Sequence, residues 1–212
     1  MTHRYWPLFD LRVRTPRVEL RVPDEEDLDA LARLAGEGIH DDGAMPFLTP
    51  WTLRPNVERS VLQWHWRQRG AWAPDGWNLD FVVLDGGEVV GSQGVGATDF
   101  AVTRQVRSGS WLGKRHQGRG LGKEMRSAVL HFAFAGLGAE VALSGAFSDN
   151  APSLGVSRAL GYQEDGYQVR NRQGVAAREV RFRLERAAWE RTRRSDVEIE
   201  GIEPCRTMFG LD

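Results

Sequence analysis

Cysteine is almost missing from this chain: Cys205 is the single one among 212 residues. No internal disulfide can form, which fits a reducing compartment, and a lone Cys reads as a packing residue rather than a nucleophile. Charge of one sign is missing too. The 28 Lys and Arg stand against 29 Asp and Glu, for a net charge of −1. A non-specific nucleic-acid binder carries a basic excess, so no nucleic-acid partner is expected. No basic segment followed by an apolar run opens the chain, so no secretory signal is read. No apolar stretch of about 18 residues offers a membrane span. Repeats and low-complexity segments are absent. These absences together lead us to expect a cytoplasmic protein with no membrane partner and no metal.

What is present is enough for one α/β domain, since a chain of this size buries roughly 70% of its unfolded surface. Residues 1–185 read as that domain, entered by a short N-terminal arm. Residues 186–212 read as a charged helix and an apolar tail. Basic residues cluster at Lys114, Arg115 and Arg119, and again at Arg191, Arg193 and Arg194, the second group as a solvated helix face.

Residues 17–22 alternate polar and apolar, as a half-buried strand does. Asp24 is then a candidate N-cap with Asp27 three residues on, and Leu28, Leu31 and Leu34 keep helical spacing. Residues 38–55 contain three prolines and read as an irregular connection that keeps Met45, Phe47, Leu48 and Trp51, the composition of a binding loop or packed lid. A helix over 57–69 follows. Strands over 78–84 and 88–96 flank Asp85-Gly86-Gly87, a hairpin signal. A third strand runs over 105–113. Leu121, Met125, Ala128, Val129, Phe132 and Ala133 then mark one face of a helix that Gly136 and Gly138 end. A strand over 140–147, a helix from Asp149-Asn150 to Leu160 with Pro152 in its first turn, and strands over 162–169 and 176–184 complete the domain.

The chemistry concentrates in RHQGRGLGKEM, residues 115–125. A glycine-rich turn feeding a helix N-terminus aims unpaired backbone N–H groups at one spot and cradles phosphate. Gly122-Lys123 matches the end of a Walker motif. The first glycine of that motif would fall on Gln117, however, and Glu124 stands where a hydroxyl must hold magnesium. A dinucleotide G-x-G-x-x-G also fails, because its last position falls on Lys123 or Met125. Gln117-Gly118-Arg119-Gly120-Leu121-Gly122 matches Q/R-x-x-G-x-G/A at every position.

That hexapeptide resembles the acyl-CoA loop of the GNAT N-acetyltransferase superfamily. The resemblance spans about residues 14 to 185, through the order of elements. LRVRTPRVELR near the start, SDNAPS after the fifth strand and RALGY after the next helix are similar to the ribosomal-protein N-terminal acetyltransferases, the RimJ/RimL-like branch. The resemblance implies an α/β (α+β) GNAT fold, with a central, mixed, mostly antiparallel and splayed sheet flanked by helices. It implies an acyl-CoA-dependent N-acyltransferase with acetyl-CoA as donor and an amine as acceptor. A larger donor such as succinyl-CoA, and a non-catalytic acyl-CoA sensor or scaffold, are the alternatives. The motif residues Gln117, Gly118, Arg119, Gly120, Leu121, Gly122 and Lys123 would hold the pyrophosphate. Ser110, Trp111 and Leu112 would pair with the pantetheine arm as an added strand. Asn150 is read both as an N-cap and as a pantetheine contact. Ser153 is read both as a first-turn hydroxyl and as the proton donor to the leaving thiolate.

Met45, Phe47 and Trp51 are expected to line the acceptor site, with Asp99 facing the cleft. His40, Asp41, Asp42 and Glu19 are further candidate bases, each also readable as structural. A water-relayed proton needs no dedicated base. His116 is expected to be exposed or in contact with phosphate. The apolar tail residues Ile202, Met208, Phe209 and Leu211 are expected to dock on the domain or on a second copy of the chain, so a homo-oligomer stays open.

Overall fold

The computed structural model describes residues 3–211; Met1, Thr2 and Asp212, the ends of the two expected spans, lie outside them. Strands β1 (Arg12–Arg14) and β2 (Val18–Arg21) lead to helix α1 (Glu25–Gly36). Asp24 and Asp27 form a capping box that satisfies donors at the start of α1. Arg21 clamps Asp27 through two hydrogen bonds of 2.9 and 2.6 Å, which ties the helix to the sheet. Helix α2 (Val57–Gly70) follows the irregular connection.

Strands β3 (Gly76–Asp85) and β4 (Glu88–Thr98) form a hairpin whose loop residues Gly86 and Gly87 have φ of +60° and +87°. Two consecutive left-handed positions suit only glycine without strain, so this turn follows directly from composition. A short helix, α3 (Phe100–Thr103), precedes β5 (Gln105–Leu112) and α4 (Leu121–His131). The apolar helical face continues past α4 as a π-turn over Phe132–Gly136, and Gly138 (φ +76°) stops it. Next come β6 (Val141–Phe147), α5 (Ala151–Ala159), β7 (Gln163–Arg172), β8 (Val175–Glu185), α6 (Arg186–Glu190) and β9 (Glu198–Glu200). Helix α6 ends at Glu190, before the helix face expected at Arg191, Arg193 and Arg194, and β1 and β9 are strands where an arm and a tail are expected.

The nine strands lie in the order β7-β8-β6-β5-β4-β3-β2-β1-β9. Every neighbouring pair is antiparallel except β5 and β6. One face of the sheet carries α4 and the main core. The other carries α1 and α2 over a smaller cluster that includes Leu31, Val61, Val82 and Leu84. The tail packs on its own chain: Cys205, Phe209 and Leu211 are buried in the main core. The Phe209 ring lies 4.9 Å from Trp77 and 5.9 Å from Phe132. Burial pushes the Cys205 thiol up to about 11, so it stays protonated and packs.

Candidate active site

The site begins where the sheet splits. Strands β5 and β6 pair for three residues only, Gln105↔Val141, Val106↔Ala142 and Arg107↔Leu143. Beyond Arg107, β5 stays with β4 as far as Leu112, while β6 stays with β8 as far as Phe147. Residues Ser108 to Leu112 therefore turn a backbone edge into a gap. Free N–H and C=O groups in such a gap accept an extended ligand as an extra strand. Ser110, Trp111 and Leu112 stand on this edge, though the Leu112 carbonyl already accepts from the Gln117 amide at 3.0 Å.

The glycine turn caps the open end of the gap. Gly118 and Gly120 have φ of +72° and +81°. A Cβ at Gly118 would meet no protein atom within 4 Å, so glycine is needed there for its backbone conformation and for close approach from outside. The backbone N–H groups of residues 118–122 find no acceptor among the described residues. They stand at the N-terminus of α4, where the helix dipole adds about 0.3–1 kcal/mol for an anion. The Gln117 side chain shapes this turn, donating also to the Ile39 carbonyl at 2.6 Å. Arg17 holds the Arg119 carbonyl at 2.7 Å, and the Arg119 guanidinium reaches Asp85. Lys123 is exposed and makes no ion pair among the described residues. His116 departs from expectation: it is 2% exposed, and burial lowers its pKa. The ring packs beside Arg115, which donates to its Nε2 at 3.0 Å, so a buried neutral imidazole replaces the exposed or phosphate-touching one.

Helix α5 forms the facing wall. Asn150 Oδ1 accepts from the Ser153 N–H at 3.2 Å, so the N-cap role is filled and the side-chain NH2 has no partner among the described residues. Ser153 lies one turn before Val156, on the same helix face. Val156 is 3.6 Å from the position a Cβ on Gly122 would take. The half-buried Ser153 hydroxyl has no partner among the described residues.

Side-chain alternation gives the gap two chemically distinct faces. On the α4 face, Arg126 is 4% exposed. Its guanidinium donates to Ser110 Oγ at 3.0 Å on one strand and to Ser144 Oγ at 3.1 Å on the other. Its Nε faces Gln93 Oε1 at 3.4 Å. No carboxylate pairs with Arg126 among the described residues. Nearby, the Tyr162 hydroxyl is buried beside Ser108 and Arg126, and neither it nor the Ser108 hydroxyl makes a well-formed hydrogen bond among the described residues. The two hydroxyls and the cation make a buried polar cluster beside the gap.

On the α1–α2 face, Trp111 packs against Trp51 at 5.7 Å, and Trp51 against Phe47 at 5.3 Å. The connection carrying them crosses the gap. Its near end is held by an ion pair between Lys114 and Asp41, and its far end by Arg172, which donates to the Met45 carbonyl at 2.9 Å while pairing with Asp149. Met45, Phe47 and Trp51 are thus brought to the mouth of the gap. Asp99 is not. It has φ +49° before α3, at the closed end of β4 where β5 and β6 are still paired. Strand register places it past the vertex, three residues beyond the last β4–β5 pair, Gly96↔Arg107. The other carboxylates are spent: Asp41 is held low by Lys114, and Glu19 pairs with Arg14 at 2.6 Å. His40 is pinned inside its loop by Thr52 at 2.8 Å, and Asp42 is exposed.

Two functional candidates, Arg126 and Asp80, were not singled out in the sequence. Asp80 lies on β3, on the α1–α2 face, and its carboxyl is pushed up to about 6 by burial, partly offset by the Trp64 indole N–H at 2.9 Å. Among the described residues, no cluster of three or more His, Cys, Asp or Glu side chains could hold a metal, and no helix is long and apolar enough to cross a membrane.

Solved structures share this architecture. The chain is 20% identical to Mycobacterium smegmatis RimJ in complex with CoA-disulfide, with a TM-score of 0.67 over 84% of this chain and 88% of that one. It is 15% identical to the ribosomal-protein-S5-alanine acetyltransferase of Vibrio fischeri, with a TM-score of 0.65 over 84% of this chain and 98% of that one. These likenesses are of fold. The model of the acetyltransferase (GNAT) domain matches residues 17–163, from β2 to the first residue of β7. With a splayed sheet, a glycine turn at the gap and a family match over most of its length, the chain belongs to the GNAT acetyltransferases.

Proposed function

We propose that this chain transfers an acyl group from coenzyme A to a primary amine by direct attack on the thioester. The observation that carries the reading is the three-residue limit on β5–β6 pairing, which leaves residues 108–112 without a strand neighbour on that edge, the Leu112 carbonyl being taken by Gln117, beside five N–H groups unpaired among the described residues. The pyrophosphate would rest on the N–H groups of residues 118–122, with Arg119 and Lys123 supplying charge. The pantetheine would align with Ser110, Trp111 and Leu112, and with the free amide of Asn150. A backbone N–H of β5 would polarise the thioester carbonyl and stabilise the oxyanion. The amine would come from the opposite face, past Met45, Phe47 and Trp51. As the tetrahedral species collapses, Ser153 would pass a proton to the departing thiolate and recover one, relayed through water, from the attacking nitrogen, which leaves as the neutral amide. Asp99 has no part in this arrangement.

Acetyl-CoA is the plain donor. A second reading is favoured by one observation: Arg126 is a buried cation without a carboxylate, beside the hydroxyls of Ser108 and Tyr162. A donor whose acyl chain ends in a carboxylate, such as succinyl-CoA, would supply the missing charge. The name of the Vibrio fischeri neighbour, a ribosomal-protein-S5-alanine acetyltransferase, supports a protein acceptor, and a small amine fits the same mouth. The test is melting with a panel of acyl-CoAs, then mass spectrometry of amines incubated with the best donor. A new amide, with Ser153→Ala slower but equally tight for coenzyme A, is the expected result. Failure of every acyl-CoA to raise Tm would overturn the reading.

A further inference from the structure

Asp80 is a carboxylate on the acceptor side of the sheet that makes no ion pair among the described residues. It stands on β3 opposite Gly94 of β4, and Gly94 stands opposite Gly109 of β5. All three point to the α1–α2 face. A Cβ on Gly94 would lie 2.5 Å from Asp80 Oδ1, whereas one on Gly109 would meet nothing within 4 Å. The carboxylate therefore looks along a floor of bare backbone that runs to the free edge of β5. Its Oδ2 accepts from the Trp64 indole, and Oδ1 has no hydrogen bond among the described residues. Trp64 is 46% exposed, so part of its ring is open to solvent beside the carboxylate it caps. Arg69 and His65 of α2 line the same small cavity as Asp80, yet neither they nor Arg67 on α2 and Arg107 on β5 form an ion pair with it among the described residues. No charged neighbour offsets the burial that raises its pKa.

An unpaired, half-buried carboxylate is costly unless a cation arrives to meet it. An indole beside it adds a second attraction for an ammonium group. Two strand spacings, ~10 Å, separate Asp80 from Gly109, where the gap begins. We infer that Asp80 and Trp64 form a subsite for a second ammonium, so that the preferred acceptor is a linear aliphatic diamine or polyamine. One nitrogen would reach the thioester while the other is held at Asp80. This rests on the transferase reading above, and it names the acceptor class that reading leaves open.

The test compares octamethylenediamine with octylamine at saturating acetyl-CoA, reading thiol release. The unsubstituted protein should favour the diamine in kcat/KM by at least ~10-fold, a difference of about 1.4 kcal/mol. Asp80→Asn should bring that ratio close to one. Gly94→Ala keeps the charge but sets a methyl group against Oδ1, and it should lower the ratio as well. If Asp80→Asn slows both amines equally, Asp80 is a proton acceptor and the subsite is wrong. A ratio that the substitution does not move also overturns it. Calorimetric titration with octamethylenediamine separates the two readings. Binding that depends on Asp80 without thiol release from any amine would keep the subsite and remove the transferase. Thiol release with an unmoved ratio would do the reverse. If spermidine binds more weakly than a tripeptide with Ala first and Lys third, Asp80 serves a protein end rather than a polyamine, and the acceptor class is wrong.

Discussion

On the α4 face of the split sheet, Arg126 lies among two serine hydroxyls and an amide, with no anion. On the opposite face, Asp80 lies over glycines beside one indole N–H, with no cation. Gln93 and Gly94, consecutive in β4, are the contacts of the two groups through the thickness of one strand. A protein that only needed stability would pair such charges or replace them with apolar side chains. Here the sheet holds them apart, each aimed at its own side of the gap. On the two proposals above, the difference would suit the two sides to ligands of opposite charge. A neutral thioester and a neutral amine would need neither group.

The comparison can be broken first at its support. Phe209 packs from the tail into the α4-side core and touches none of the α1–α2 cluster. Phe209→Ala should lower stability by about 3–5 kcal/mol in urea unfolding. A loss under about 1 kcal/mol would mean that the tail is not part of that core. A smaller effect is expected at the cation. Arg126→Met should reduce the ratio of succinyl-CoA to acetyl-CoA kcat/KM by about 30-fold, roughly 2 kcal/mol. An equal loss with both donors would assign Arg126 to holding β5 and β6 together.

The smallest effect belongs to the carboxylate, through pH. In the folded chain Asp80 titrates at about 6, against an ordinary 3.8. Between those values the folded chain keeps a proton that the unfolded chain releases. The stabilisation from this group is therefore present at low pH and lost as pH rises through 6. Asp80→Asn should melt about 2 °C higher than the unsubstituted protein at pH 8, with the gap closing as pH falls below 6. His65, which burial holds at about 4, acts the other way in both proteins and cancels in the difference. A gap that is constant with pH would show that Asp80 is not the titrating group.

The local features were legible because neighbouring residues dictate them. Gly86-Gly87, the Asp24–Asp27 capping box and the RHQGRGLGKEM turn each follow from backbone rules within a few residues. The apolar tail was legible as something that must be covered. Its partner was not, because β9 pairs with β1 from the far end of the chain. Arg126 and Asp80 were hidden for a related reason. A charge within a helix or an alternating strand reads as a solvated position. Only the tertiary arrangement shows that Ser110 and Ser144 enclose the one while α2 covers the other. Asp99 failed in the opposite direction: its place after a strand suggested the cleft, but the vertex of the split lies several residues earlier.

The bare floor between Asp80 and the gap also offers a design handle. Gly109 keeps an ordinary negative φ, and a side chain there would meet open space. The backbone would tolerate alanine, valine or leucine at that position with little strain. Each step would raise the floor and shorten the reach between the two ends of the groove. A graded series at residue 109 would therefore act as a ruler, retuning which chain lengths are accepted while the glycine turn and the split sheet stay untouched.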